Sequence, residues 1–176
     1  MEDINSWELK FKPCHYSSRL LDRLFLLSET SGQLLDMQEI QKAIYYAREC
    51  YGDQKRKSGE SCYSHQLEVA YMFAEYVAQK QPRYYRTDLI ITAILHGAIE
   101  DMALTFEAIQ HIFSRAIANQ VMELIEIERD DRKINGSELI EILIKEKKYD
   151  FILIKQFDRL HDLETIRVTS PDSVKK

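Results

Sequence analysis

Glycine and proline are scarce in this chain, with only five and three residues respectively out of 176. Ordinary domains devote about 12% of their residues to the two together. Sandwiches and barrels need a turn every few residues and draw on both for it, so an all-β architecture is excluded. Positive charge is also in deficit. Lys and Arg number 24 against 29 Asp and Glu, a formal net charge of -5. A balance of that sign provides no general phosphate-binding face, and no nucleic-acid partner is expected.

Long hydrophobic runs are missing as well. The longest uncharged apolar stretch, Leu89 to Ile99, lies between Asp88 and Glu100. A membrane helix takes about 20 such residues. The stretch therefore reads as a buried core helix, with no membrane association. Cysteine occurs three times, at Cys14, Cys50 and Cys62, with no C-x-x-C spacing. An odd, scattered set suits reduced thiols better than a disulfide or zinc framework. The opening residues MEDINSWELK show no basic segment leading into an apolar one. With the thiols, this sets the expectation of a cytoplasmic protein.

The residues present are 45% hydrophobic and 30% charged, which suits a folded, helix-rich domain. The periodicity predicts an all-α fold of seven or eight helices with no significant sheet. Residues 1–17 carry little pattern, and Ser18 could cap a short helix to about Leu27. Asp36 and Glu39 form a D-x-x-E start signal, and Gly52 ends the helix that follows. Further helices are expected at about 64–79, from Thr87 or Asp88 to Asp101, after Thr105, and at 116–129, 137–147 and 149–166. The expected organisation is an extension over 1–35 with one short helix, a domain over 36–167 and a polar tail over 168–176.

Three groups of residues carry possible chemistry. The apolar helix TDLIITAILHGAIED ends on His96, Glu100 and Asp101. His96 and Glu100, four apart, share a face. Acids at a helix C-terminus oppose the macrodipole and are mildly unfavourable there. In KQFDRLHDLETI, the residues Asp158, His161, Asp162 and Thr165 recur at 3–4 spacing and line one stripe. A buried Asp is rare unless paired or metal-bound, and the plain alternative is a salt bridge to Lys155 or Arg159. The third group is the loop QKRKSGESCYSH, where Arg56, Lys57, Ser58 and Gly59 precede His65. Arg and Lys beside small residues can grip phosphate, although short basic loops are more often simply solvated.

Taken in order, the fragments A-x-x-x-A-R-E, Q-x-R-K-S-G-E, H-x-x-x-V-A, H-x-x-x-E-D and I-K-x-x-D-R-L-H resemble the hydrolase domain of the RelA/SpoT family. That domain belongs to the HD superfamily of metal-dependent phosphohydrolases. The resemblance spans residues 39–167 and implies an all-helical domain that removes the 3′-pyrophosphate from (p)ppGpp, a guanosine nucleotide, with one Mn²⁺. It implies His65, His96 and Asp158 as metal ligands, and Glu100 and Asp101 as the pair that positions or activates the attacking water. Arg56, Lys57 and Ser58 match the substrate-gripping loop, and Asp162 and Thr165 the nucleotide contacts. No synthetase activity is implied.

The chain departs from the family pattern at several points. The eponymous His-Asp pair is His96-Gly97 here, so one carboxylate ligand is replaced by a hydrogen. A glycine inside a helix costs about 1 kcal/mol, which makes Gly97 conspicuous. The family's Asn is Asp162, its following Arg is Glu164, and the Pro after the first His is Gln66. These changes frame the alternative reading, a catalytically inactive HD-domain paralogue that binds a nucleotide or a protein partner.

Overall fold

The computed structural model describes residues 6–56, 59–99, 104–124, 128–129, 132–133 and 136–169. Among them are nine α-helices, one more than the upper expectation, and one 3-10 turn, Pro82–Tyr84. The only strands among the described residues are two-residue segments, Glu128–Arg129 and Arg132–Lys133, paired antiparallel. The fold is all-α, as the shortage of turn residues requires.

The first two helices, α1 (Trp7–Lys10) and α2 (His15–Ser31), fall where little structure or one short helix was expected. The start signal for α2 is an unusual one. The Ser17 hydroxyl accepts from the backbone N–H of Cys14 at 2.7 Å, so Cys14 rather than Ser18 precedes the first turn. Leu20, Leu24 and Leu27 form its buried stripe, and Gly32 closes it at φ 70, a left-handed position that glycine takes without a Cβ clash. In α3 (Met37–Tyr51), the Asp36 carboxylate accepts from the Glu39 N–H at 3.0 Å. That bond satisfies one of the unpaired donors of the first turn.

The long helix α4 (Cys62–Lys80) is buried on most of its circumference, from Tyr63 to Ala78. Against it packs α5 (Thr87–Leu95), in which every residue from Leu89 to Leu95 is buried. These two form the centre, with α2 and α3 on one side. The helix α6 (Phe106–Ile112) starts on a Thr105 cap, and α7 (Arg115–Glu123) on a Ser114 cap. The last two, α8 (Gly136–Lys145) and α9 (Tyr149–Thr169), pack on each other, and α9 also lies along α4. Phe73 is completely buried at the middle of α4, so truncating it to Ala removes about 3–5 kcal/mol of stability.

Polar contacts fix how the central helices sit. Arg23 binds Glu75 through Nε at 2.6 Å and Nη2 at 2.5 Å, tying α2 to α4. The Tyr85 hydroxyl donates to the Leu24 carbonyl at 2.7 Å. On the other side, Gln120 of α7 donates to Asp88 at 2.7 Å and accepts from Thr92 at 2.7 Å. The carboxyl of Asp88 would be raised by burial, but the Arg86 and Gln120 hydrogen bonds outweigh this and hold it below its ordinary value. The N-terminal half of α5 is thereby anchored, and the buried helix delivers His96 from its last turn.

One boundary differs in a way that matters. The helix expected to run to Asp101 stops at Leu95, with His96 as its C-cap residue at φ -56, ψ -32. Residues 96–99 form a turn, closed by an Ala98 N–H to Leu95 carbonyl bond at 2.9 Å. Gly97 therefore lies just past a helix end and not inside a helix, where glycine costs little.

Candidate metal centre

Three elements deliver the site. His65 sits on the first turn of α4, which the Ser61 side chain caps by accepting from Ser64 N–H. His96 caps the end of α5 and is 3% exposed. Asp158 lies midway along α9, on the stripe that turns toward α4. Each offers one ligand atom, and these atoms all lie within 4.8 Å of one another.

The second nitrogen of each histidine is occupied. Nδ1 of His96 lies 2.7 Å from the Ala93 carbonyl, which can only accept, so Nδ1 carries the proton. Its Nε2 then points a lone pair toward Asp158 Oδ1, 3.4 Å away. Two acceptors facing each other at that distance call for a cation between them, either a proton or a metal. His65 Nε2 lies 3.1 Å from the same Oδ1, and its Nδ1 lies 2.8 Å from Nδ1 of His161. Histidine ligands are ordinarily oriented in this way, by a hydrogen bond to the nitrogen that does not bind the ion.

The electrostatics suit a cation. Burial lowers the pKa of His65 and, together with the neighbouring His96 and Arg56, outweighs the opposing hydrogen bond to Asp158, so its neutral, ligating form is favoured. Burial would raise Asp158, but its contacts with His65 and His96 and the nearby ammonium of Lys155 overcome it, keeping the carboxylate ionised. Lys155 Nζ lies 3.5 Å from the other oxygen, Oδ2. The salt bridge weighed as the plain alternative is thus real. It leaves Oδ1 to the histidines, so the two readings of Asp158 are compatible.

Arg56 reaches the rim of this cluster from the loop before α4. Its N–H bonds to the Glu60 carbonyl at 2.8 Å, and Gly59 N–H bonds to the Arg56 carbonyl at 2.9 Å. Gly59 stands at φ 88 with open space where a Cβ would be, so the turn needs glycine for its backbone alone. Arg56 Nη2 forms an ion pair with Asp162 Oδ1. Thr165 directs its hydroxyl at its own helix, donating to the carbonyls of His161 and Asp162 at 3.0 Å each. Lys57, Ser58, Glu100 and Asp101 lie outside the described residues. The structure thus brings together His65, His96, Asp158, Arg56 and Asp162.

In the sequence, His161 has no role beyond its place on the Asp158 stripe, and Gln66 stands out only as a departure from the family pattern. The 3–4 spacing places His161 on the right stripe, but its partnership with His65 depends on how α9 lies across α4. Gln66 is 3% exposed, donates to the Tyr51 hydroxyl at 3.0 Å, and keeps Oε1 buried with no hydrogen-bond partner among the described residues.

The HD domain family model matches residues 43–176, which includes all three donor residues. The guanosine-3′,5′-bis(diphosphate) 3′-pyrophosphohydrolase of Aquifex aeolicus is 34% identical over 141 residues, covering 79% of this chain and 19% of that protein. The protein of the same description from Spiroplasma citri is 31% identical, covering 77% of this chain and 18% of its own length. The bifunctional (p)ppGpp synthase/hydrolase SpoT of Escherichia coli is 28% identical, with 77% of this chain and 19% of the relative covered. The chain spans about a fifth of the length of these relatives. The chain belongs to the HD domain family, and its similarity within it lies with hydrolases of the RelA/SpoT type.

Proposed function

We propose that the chain is a metal-dependent (p)ppGpp 3′-pyrophosphohydrolase-like protein. The observation that carries this reading is the convergence of His65, His96 and Asp158 from three elements on one point. Imidazole and carboxylate together suit a Mn²⁺-like ion. The lone pair of His96 directed at Asp158 Oδ1 is the specific feature that a cation would satisfy. When bound, such an ion polarises a phosphoryl oxygen and acidifies a coordinated water.

The chain's own residues supply the rest. His161 and the Ala93 carbonyl orient the two histidines. Arg56 faces the region where a phosphoryl group would meet the ion, with Lys57 and Ser58 beside it in sequence. Glu100 and Asp101 follow His96 by one turn's length of chain and are assigned the handling of the attacking water. Asp162 and Thr165 take the nucleotide contacts. The water adds to the phosphorus, the bond to the ribose 3′ oxygen breaks, and pyrophosphate leaves. The unit responsible is residues 36–167, with 1–35 an extension packed on α4 through α2, and 168–176 a polar tail. No helix among the described residues is long and apolar enough to cross a membrane, which suits the cytoplasmic location expected for an enzyme acting on a free nucleotide.

A second reading, binding without turnover, is favoured by one observation. Gly97 stands beside His96 without the carboxylate of the His-Asp pair. The deciding experiment is release of pyrophosphate from ppGpp with Mn²⁺ present and after chelation. Mn²⁺-dependent release that vanishes in Asp158→Asn supports hydrolysis. Binding of ppGpp with no release from the unaltered chain supports the second reading.

A further inference from the structure

Asp162 occupies the arginine that the proposed reaction would use to hold phosphate. Its Oδ1 pairs with Arg56 Nη2 and stands 3.9 Å from His65 Nδ1. The carboxylate therefore lies between the guanidinium and the metal-site histidine. Arg56 Nη1 is buried and has no hydrogen-bond partner among the described residues. A free guanidinium clamps a phosphate with two parallel N–H bonds. Here one prong is held by the carboxylate and the other is shut away from solvent.

We infer that Asp162 is a specificity-determining positioning residue: by holding Nη2 it competes with an incoming phosphate for Arg56 and weakens the hold on multiply charged phosphates. This rests on the reading that the substrate's phosphoryl groups lie between Arg56 and the His65–His96–Asp158 cluster. An arriving diphosphate must displace the carboxylate from Nη2, and it then faces the negative charge of Asp162 at close range. A monophosphate carries less charge and is penalised less. The Asp162 side chain is 43% exposed, so the effect weakens as salt rises.

The test uses the full chain with Asp162→Asn, Arg56→Ala and the double variant. Asn keeps the size and removes the charge, and Asp162→Ser serves as a second variant should Asn perturb the fold. Binding of inorganic pyrophosphate and of phosphate is measured by calorimetry in metal-free buffer. Removing a unit charge from a partly solvated arginine–anion contact is worth on the order of tenfold in affinity. Asp162→Asn is expected to tighten pyrophosphate by about that factor and phosphate by less. The gain should disappear in the Arg56→Ala background, which a purely structural role or simple repulsion would not produce.

Unchanged pyrophosphate affinity in Asp162→Asn overturns the inference. So does an equal gain without Arg56, or failure of both chains to bind pyrophosphate. Hydrolysis of ppGpp is assayed separately with Mn²⁺. If the pyrophosphate gain appears while neither chain acts on ppGpp, the role of Asp162 stands and the substrate assignment falls.

Discussion

His96 Nε2 and Asp158 Oδ1 face each other at 3.4 Å between the end of α5 and the middle of α9, and the Ala93 carbonyl already claims the proton on the other nitrogen of that imidazole. The pair is thus arranged to share a cation. His65 Nε2 approaches the same oxygen, so one carboxylate oxygen is the meeting point of all three donors. Capping bonds and interhelical contacts put them there: Ser61 at the start of α4, and the Asp88–Gln120 contact that anchors α5. Sequence, local structure and site are connected through those few bonds.

The contact between His65 and His161 makes tautomer state a reporter of metal. Without metal, His65 donates from Nε2 to Asp158, and its Nδ1 accepts from Nδ1 of His161. When Nε2 of His65 binds an ion, its proton must sit on Nδ1, and His161 Nδ1 becomes the acceptor. Nitrogen-15 spectra of the histidines should show His161 moving from the Nδ1–H to the Nε2–H tautomer on addition of diamagnetic Zn²⁺ as a Mn²⁺ substitute. A His161 spectrum that ignores the metal would mean that His65 does not bind through Nε2.

Gly97 should be a point of gain. Gly97→Asp restores the carboxylate of the His-Asp pair next to a metal ligand. Loss of a group that merely supports a ligand costs about 10–100-fold in metal affinity. Adding a ligand at this position should therefore raise Mn²⁺ affinity at least about tenfold. The position is buried, so without metal an extra unpaired carboxylate should lower the melting temperature. Calorimetric titration and thermal melts with and without Mn²⁺ check both signs. Unchanged affinity would show that position 97 does not face the ion.

Stability should fall with acid in two steps. His65 has its pKa lowered from 6.5 in the folded state, so below that value the unfolded chain takes up a proton that the folded chain resists. Its contribution is complete above pH 6.5 and is lost as pH falls toward the folded value. Asp158 is likewise lowered from 3.8, so its contribution is complete above about that pH and is lost below it. Each group limits the slope to about 1.4 kcal/mol per pH unit. Denaturation midpoints of the metal-free protein from pH 8 to 3 should decline in both windows, and His65→Gln should flatten the upper one. A flat profile down to pH 5 in the unaltered chain would contradict the account of His65.

Much of the architecture could be read from local chemistry. The Asp36 cap, the Thr105 cap and the closure of α3 at Gly52 are each decided within a few residues, and each stands where the sequence puts it. The errors occur where a distant contact or an unusual local signal decides. Cys14 and Ser17 start α2 through a bond that no common cap pattern announces. The stop of α5 at Leu95 was obscured because Gly97 continued an apolar run. At the site, the stripe of α9 was visible from 3–4 spacing. The pairing of His161 with His65 and the ion pair of Arg56 with Asp162 are long-range contacts. They follow from how α9 and the loop before α4 pack together, which periodicity alone does not encode.

The central claim is that His65, His96 and Asp158 hold a divalent metal ion. The direct measurement is equilibrium titration of Mn²⁺ at neutral pH, read by the electron paramagnetic resonance of free Mn²⁺, on the unaltered chain and on His96→Ala and Asp158→Asn. The account predicts one ion per chain, with binding weakened at least about tenfold in each variant, as loss of a direct ligand requires. Absence of stoichiometric binding, or binding that both substitutions leave unchanged, would contradict it.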